Sequence, residues 1–315
     1  WRKRMTVISS MRFNSQEGAI VADEQSTYGN RKLSFADKLV RIGNGETYAI
    51  IGGTGHADFL FNVSERLRDY FNINPAQNSE QIAEITARIM DVRKLAIVRG
   101  ELESNLGIRY EEFISGHCRS EEGQVIPIRQ DLIERMNNIQ NQANAQISNN
   151  TFTILGKDKD NVRLYRADAS NLVPTLIGRP YDVVGSGNDS ADEVIVEFIE
   201  KLEREKLKNI DPVEGIEALI YATHRASVRN QGVGGTPVIY VIGKEGAFLV
   251  SEARSQLADN MVRGYRREFL DRDVLKMLLQ ETIYGEKEVD DIEDQMFEAA
   301  KKGREFVRYL TSKKS

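Results

Sequence analysis

Within its first 54 residues the chain repeats one pattern, a short apolar run closed by turn residues, and this commits it to building sheet first. The runs are 6–13 (TVISSMRF), 18–23 (GAIVAD), 38–42 (KLVRI) and 48–51 (YAII). Polar residues Asn14 to Glu17 separate the first two, Tyr28-Gly29-Asn30 signals a turn, and Asn44-Gly45 is a strong hairpin turn before the last. Gly52-Gly53-Thr54-Gly55 reads as the break that ends this strand. From His56 to Phe71 the period changes, with Phe59, Leu60, Val63 and Leu67 at helical spacing.

Residues 78–106 continue helical, with Ile82, Ile85, Ile89, Val92 and Leu95 as the expected apolar stripe. The stretch 107–128 lacks a period and reads as loop or short insertion. A polar, Asn/Gln-rich helix, solvated or at an interface, is expected at 129–146. Strands at 151–156 and 162–166 flank a charged turn, and another from Tyr181 to Val184 closes on Gly185-Ser186-Gly187. Helices are expected at 189–208 and 212–229, the second capped by Asp211 ahead of Pro212. Gly232 to Gly235 breaks that helix, Pro237 to Ile242 and Ala247 to Val250 form a hairpin, and about 255–312 is charged and helical. Strands and helices segregated in blocks define an α+β chain, with two sheets sandwiched between helical layers.

Composition narrows the function. A chain of 315 residues, 40% hydrophobic and 29% charged, is ordinary for a globular protein. Its formal charge of −5 gives no broad basic field for nucleic acid or anionic membrane. No apolar run approaches the ~20 residues a membrane span needs. The start, Trp1-Arg2-Lys3-Arg4-Met5, is basic but lacks a signal-peptide core. The single cysteine, Cys118, excludes an internal disulfide and points to a reducing, cytoplasmic compartment. No His, Cys or carboxylate spacing suggests a metal site, His56 and His224 read as helix-surface or capping residues, and no motif calls for a cofactor.

One ordered set of segments carries chemistry. Thr6 opens the first strand, 22–30 (ADEQSTYGN) follows the second, Lys38 heads the third, and 49–54 (AIIGGT) leads into the first helix. Farther on come 181–187 (YDVVGSG) and 229–235 (RNQGVGG). In order, spacing and context these segments resemble the proteasome β-subunit family of N-terminal-nucleophile (Ntn) hydrolases, most closely the HslV-like peptidase ring proteins of bacteria. The resemblance covers about 6–75 and 150–250. It implies a four-layer αββα sandwich over 6–254, with a helical insertion at about 107–148 and a helical extension over 255–315. It also implies that residues 1–5 are a leader or propeptide.

A threonine hydroxyl holds its proton tightly and needs an adjacent base. At a chain's first residue the α-amine, with a pKa of about 8, can serve. With Met5 attached that nitrogen is an amide and cannot. By the resemblance, Thr6 is the nucleophile, Lys38 supplies positive charge beside it, and Asp23 pairs with Lys38. Ser186 hydrogen-bonds the amine and relays its proton, and the backbone N–H of Ala49 stabilises the oxyanion. Asn230 supports the site where the family usually has aspartate, and Val233 replaces a serine. The implied protein is a threonine-type endopeptidase acting on unfolded polypeptide within a ring of identical subunits. A separate ATP-dependent unfoldase is the implied partner, since this sequence carries no phosphate-binding loop. The alternative is a latent or inactive ring or scaffold subunit. Its charged end, carrying Met261, Tyr265, Phe269, Leu275, Leu278 and Leu279, would then dock subunits or partners.

Overall fold

The computed structural model describes residues 6–24, 27–28, 31–32, 38–119, 123–230 and 233–311; the expected leader at 1–5 lies outside them. Strands β1 (Val7–Arg12) and β2 (Gly18–Ala22) form the first hairpin, pairing Ile8 with Ala22 and Arg12 with Gly18. A two-residue ladder, β3 (Thr27–Tyr28) with β4 (Arg31–Lys32), precedes the second hairpin, β5 (Leu39–Asn44) and β6 (Thr47–Thr54). The expected break at Gly52 does not occur. At Gly52 a Cβ would lie 2.7 Å from Leu39 Cδ2, and at Gly53 2.6 Å from Phe152 Cε1, so both glycines serve close packing inside β6. The chain turns instead at Gly55, whose φ of +131° disfavours any residue with a side chain.

Helices α1 (Ala57–Ile73) and α2 (Ser79–Leu106) follow, the second capped by the Asn78 side chain, which accepts the Gln81 N–H. Of the expected α2 stripe, Ile82 is buried and Ile85 and Ile89 pack against the core, but Val92 is 55% exposed, and Ala83, Ala87 and Met90 widen the buried face. Small residues face the sheet because they let helix and strands approach. The stretch expected to lack structure holds a short helix, α3 (Tyr110–Ser115), and a small hairpin of β7 (His117–Arg119) and β8 (Val125–Pro127). Helix α4 (Gln130–Ile147) is only partly solvated. Its Met136 and Ala143 pack with Val98 and Leu102 of α2.

Strands β9 (Thr151–Asp158) and β10 (Asn161–Asp168) form a long hairpin, and β11 (Thr175–Leu176) and β12 (Tyr181–Gly185) follow. Next come α5 (Asn188–Glu200), shorter than expected, and α6 (Pro212–Arg229), where Asp211 accepts the Val213 and Glu214 N–H groups. After β13 (Val238–Ile242) and β14 (Ala247–Leu249) the chain ends in α7 (Glu252–Arg266), α8 (Arg272–Tyr284), α9 (Val289–Glu298) and α10 (Gly303–Thr311).

Among the described residues the strands make two five-stranded antiparallel sheets, ordered β12-β1-β2-β13-β14 and β11-β10-β9-β6-β5. Side chains alternate across each strand, yet both faces are apolar and buried. Ile8, Ile20 and Val238 of the first sheet meet Ile50, Leu155 and Leu164 of the second. On the other face of the first sheet, Val7, Met11 and Val21 pack with α5 to α10. On the other face of the second, Ala49, Ile51 and Ile154 pack with α1 and α2. The fold is thus a mixed one of helices and antiparallel sheets. Met261, Leu275, Leu278 and Leu279, offered by the sequence as a docking face, are buried in the chain's own core. Among the described residues no helix is long and apolar enough to cross a membrane.

Candidate active site

The pairing of β1 with β2 and β12 brings three distant parts of the sequence to one end of the first sheet. Thr6 sits half-buried just ahead of β1. Its N–H donates to Ser186 Oγ at 3.1 Å, and its carbonyl accepts the Gly187 N–H at 3.3 Å. Glycine is required on the Ser186 turn. At Gly185, where φ is +107°, a Cβ would collide with the Thr6 carbonyl oxygen. At Gly187 a Cβ would lie 3.2 Å from Val7 Cβ and 3.1 Å from Ala226 Cβ.

Asp23 follows the last residue of β2 and is fully buried. Its Oδ1 accepts the Val7 N–H at 3.0 Å and the Lys38 ammonium at 2.9 Å, and its Oδ2 accepts the Gly234 N–H at 3.4 Å. The Asp23 N–H in turn donates to the Val7 carbonyl at 3.2 Å. One carboxylate therefore ties together the residue after Thr6, the lysine heading β5 and the loop before β13. Burial pushes the Asp23 carboxyl up from the usual aspartate range, against the Lys38 charge and the N–H donors. Burial likewise pushes the Lys38 ammonium down, against Asp23 and Glu24.

Four of the expected site residues thus meet: Thr6 with Ser186, and Asp23 with Lys38, joined through the peptide between Thr6 and Val7. Ala49 is not brought to them by any hydrogen bond of its own. It lies inside β6, opposite Ile42 and Gly156, whereas the residue opposite Leu39, next to Lys38, is Gly52. Asn230 points its amide back onto its own helix, donating to the Ala226 carbonyl at 3.1 Å. The loop beyond it reaches the site through backbone N–H groups, and Val233 is buried in the core. Sequence reasoning missed this backbone role, as well as Glu24, which accepts the Thr236 N–H at 2.9 Å. A second carboxylate beside Asp23 and a glycine-rich run were the available signals. Among the described residues no group of three His, Cys or carboxylate side chains could hold a metal.

Solved structures share this arrangement of two helix-packed antiparallel sheets. Anbu (ancestral beta-subunit) from Yersinia bercovieri has a TM-score of 0.55 at 12% identity, over 83% of this chain and 94% of that one. An Anbu (Gly-1) mutant from Hyphomicrobium sp. strain MC1 has a TM-score of 0.51 at 10% identity, over 84% and 98%. No family model and no curated protein matches the sequence. The HslV-like assignment is therefore corrected: these structural neighbours are Anbu proteins, proteasome-like relatives distinct from it.

Proposed function

We propose that this chain is a proteasome-like subunit carrying a threonine-nucleophile site that is assembled but latent. The observation behind this reading is the Asp23 carboxylate gathering Lys38 and the Val7 N–H while Ser186 Oγ meets the Thr6 nitrogen. Latency follows from covalent chemistry. While Met5 is attached, the Thr6 nitrogen is an amide and donates its proton to Ser186 instead of accepting one.

Once Thr6 leads the chain, its neutral amine accepts the hydroxyl proton, directly or through Ser186. The oxygen attacks a peptide carbonyl carbon, the tetrahedral intermediate expels the amine product, and water hydrolyses the resulting ester. Lys38, kept charged by Asp23, lowers the cost of negative charge on the Thr6 oxygen. The two sheets and their flanking helices are read as the αββα sandwich of that fold, with 107–148 inserted and 255–315 appended. Assembly with like subunits is supported by the fold shared with proteins described as ancestral beta-subunits. A separate unfoldase and unfolded polypeptide remain the partners this reading requires.

Turnover of a fluorogenic peptide amide tests the reading. Protein beginning at Thr6 is expected to hydrolyse it, and Ser186→Ala to slow it by about 10²-fold. A permanently inactive assembly subunit is the second reading, favoured by the Asn230 amide turning to its own helix and by apolar Val233. It predicts no turnover from protein beginning at Thr6, with rings still visible by negative-stain microscopy.

A further inference from the structure

The loop Val233–Thr236 rests on two adjacent carboxylates, and only one belongs to the set described above. Gly234 N–H points to Asp23, and Thr236 N–H donates to Glu24 Oε2 at 2.9 Å. Between them Gly235 takes φ +83°, and a Cβ there would lie 2.8 Å from Glu24 Cβ. The loop backbone is therefore laid directly on the half-buried Glu24 side chain. On its far side Thr236 Oγ1 donates to Gln256 Oε1 of α7 at 2.8 Å. At its near end Val233 is buried beside the Ser186 turn, 3.4 Å from the space a Gly187 Cβ would fill.

We propose that Glu24 is a positioning residue of the Thr6 site, holding the 233–236 loop so that the Gly234 N–H stays on Asp23 and keeps that carboxylate between Lys38 and Val7. The proposal rests on the threonine-nucleophile reading. Glu24 hydrogen-bonds the loop and not Thr6, so its effect passes through Asp23. It also carries charge where a neutral acceptor would suffice for the loop. The charged groups acting on Lys38 include Asp23 and Glu24, and both favour its protonated form.

Two substitutions separate loop from charge, made in protein beginning at Thr6. Glu24→Ala removes both, whereas Glu24→Gln keeps an acceptor for the Thr236 N–H. The readouts are the rate of Thr6 adduct formation with a peptide epoxyketone across pH, and amide hydrogen exchange over 233–242. Glu24→Ala is expected to slow labelling by about tenfold or more, as small misplacements of catalytic groups do, and to speed exchange in the loop. Glu24→Gln is expected to leave loop exchange slow, to lose less rate, and to move the alkaline limb to lower pH because Lys38 gives up its proton more readily. Loop exchange in Glu24→Ala as slow as in the parent, or labelling at the parent rate, would overturn the proposal. If the parent itself forms no adduct, the nucleophile reading fails and takes the site role with it, while exchange still decides whether Glu24 holds the loop.

Discussion

Removing one member of the Asp23–Lys38 pair leaves the other charged inside the protein, which costs about 3–5 kcal/mol when the site is dry. Asp23 is fully buried and the Lys38 side chain is 9% exposed, so this regime applies. Lys38→Ala is expected to lower the unfolding free energy in urea by that amount; a loss under about 1 kcal/mol would put the pair among exposed ion pairs. The pH dependence follows from the direction of the Lys38 shift. Burial lowers its pKa from 10.5, so the ammonium sheds its proton earlier than a free lysine would. The rate of Thr6 modification should therefore fall along an alkaline limb centred below that value. A limb centred above it would contradict the burial argument. Gly185 offers a separate test of how Ser186 is presented. Gly185→Ala forces a side chain into a left-handed conformation and against the Thr6 carbonyl. It is expected to cost about 1–3 kcal/mol and to abolish labelling even where the variant still folds, as judged by circular dichroism.

At the scale of elements, the strands were legible because both of their faces are apolar, and the α6 cap because Asp211 obeys simple donor counting. The glycines of β6 were misread because a glycine that breaks a strand and one that makes room inside it look alike until Leu39 and Phe152 are seen against them. The α2 face was only partly legible because alanine carries little hydrophobic weight yet sets the closest approach to a sheet. That Thr6, Asp23, Lys38 and Ser186 would lie close together was legible through ordered motifs. The roles of Gly234 and Thr236 were not, because a backbone N–H leaves no residue-type signature. Under the scaffold alternative the last helices were offered as a docking surface, because amphipathicity does not say which surface is covered. Their attachment can be tested at Gly264 of α7, where a Cβ would lie 2.6 Å from Phe306 Cζ of α10. Gly264→Ala is expected to speed amide exchange over 303–311 while leaving β1 protected. Unchanged exchange there would mean that α10 does not depend on this contact.

For the whole molecule, the core and the site are one construction. The strand that Thr6 precedes faces the second sheet through Ile8 and the helices through Val7. The peptide joining Thr6 to Val7 is held at both ends, by Ser186 and by Asp23. Under the proposed function, positioning of Thr6 therefore precedes its activation, which requires a free amine. Intact mass after incubation with a peptide epoxyketone tests this most directly, comparing protein that begins at Thr6, protein that retains Met5, and Thr6→Ala. One adduct on the first and none on the other two is the expected result. An adduct that persists in Thr6→Ala, or none on protein beginning at Thr6, would contradict a latent threonine nucleophile.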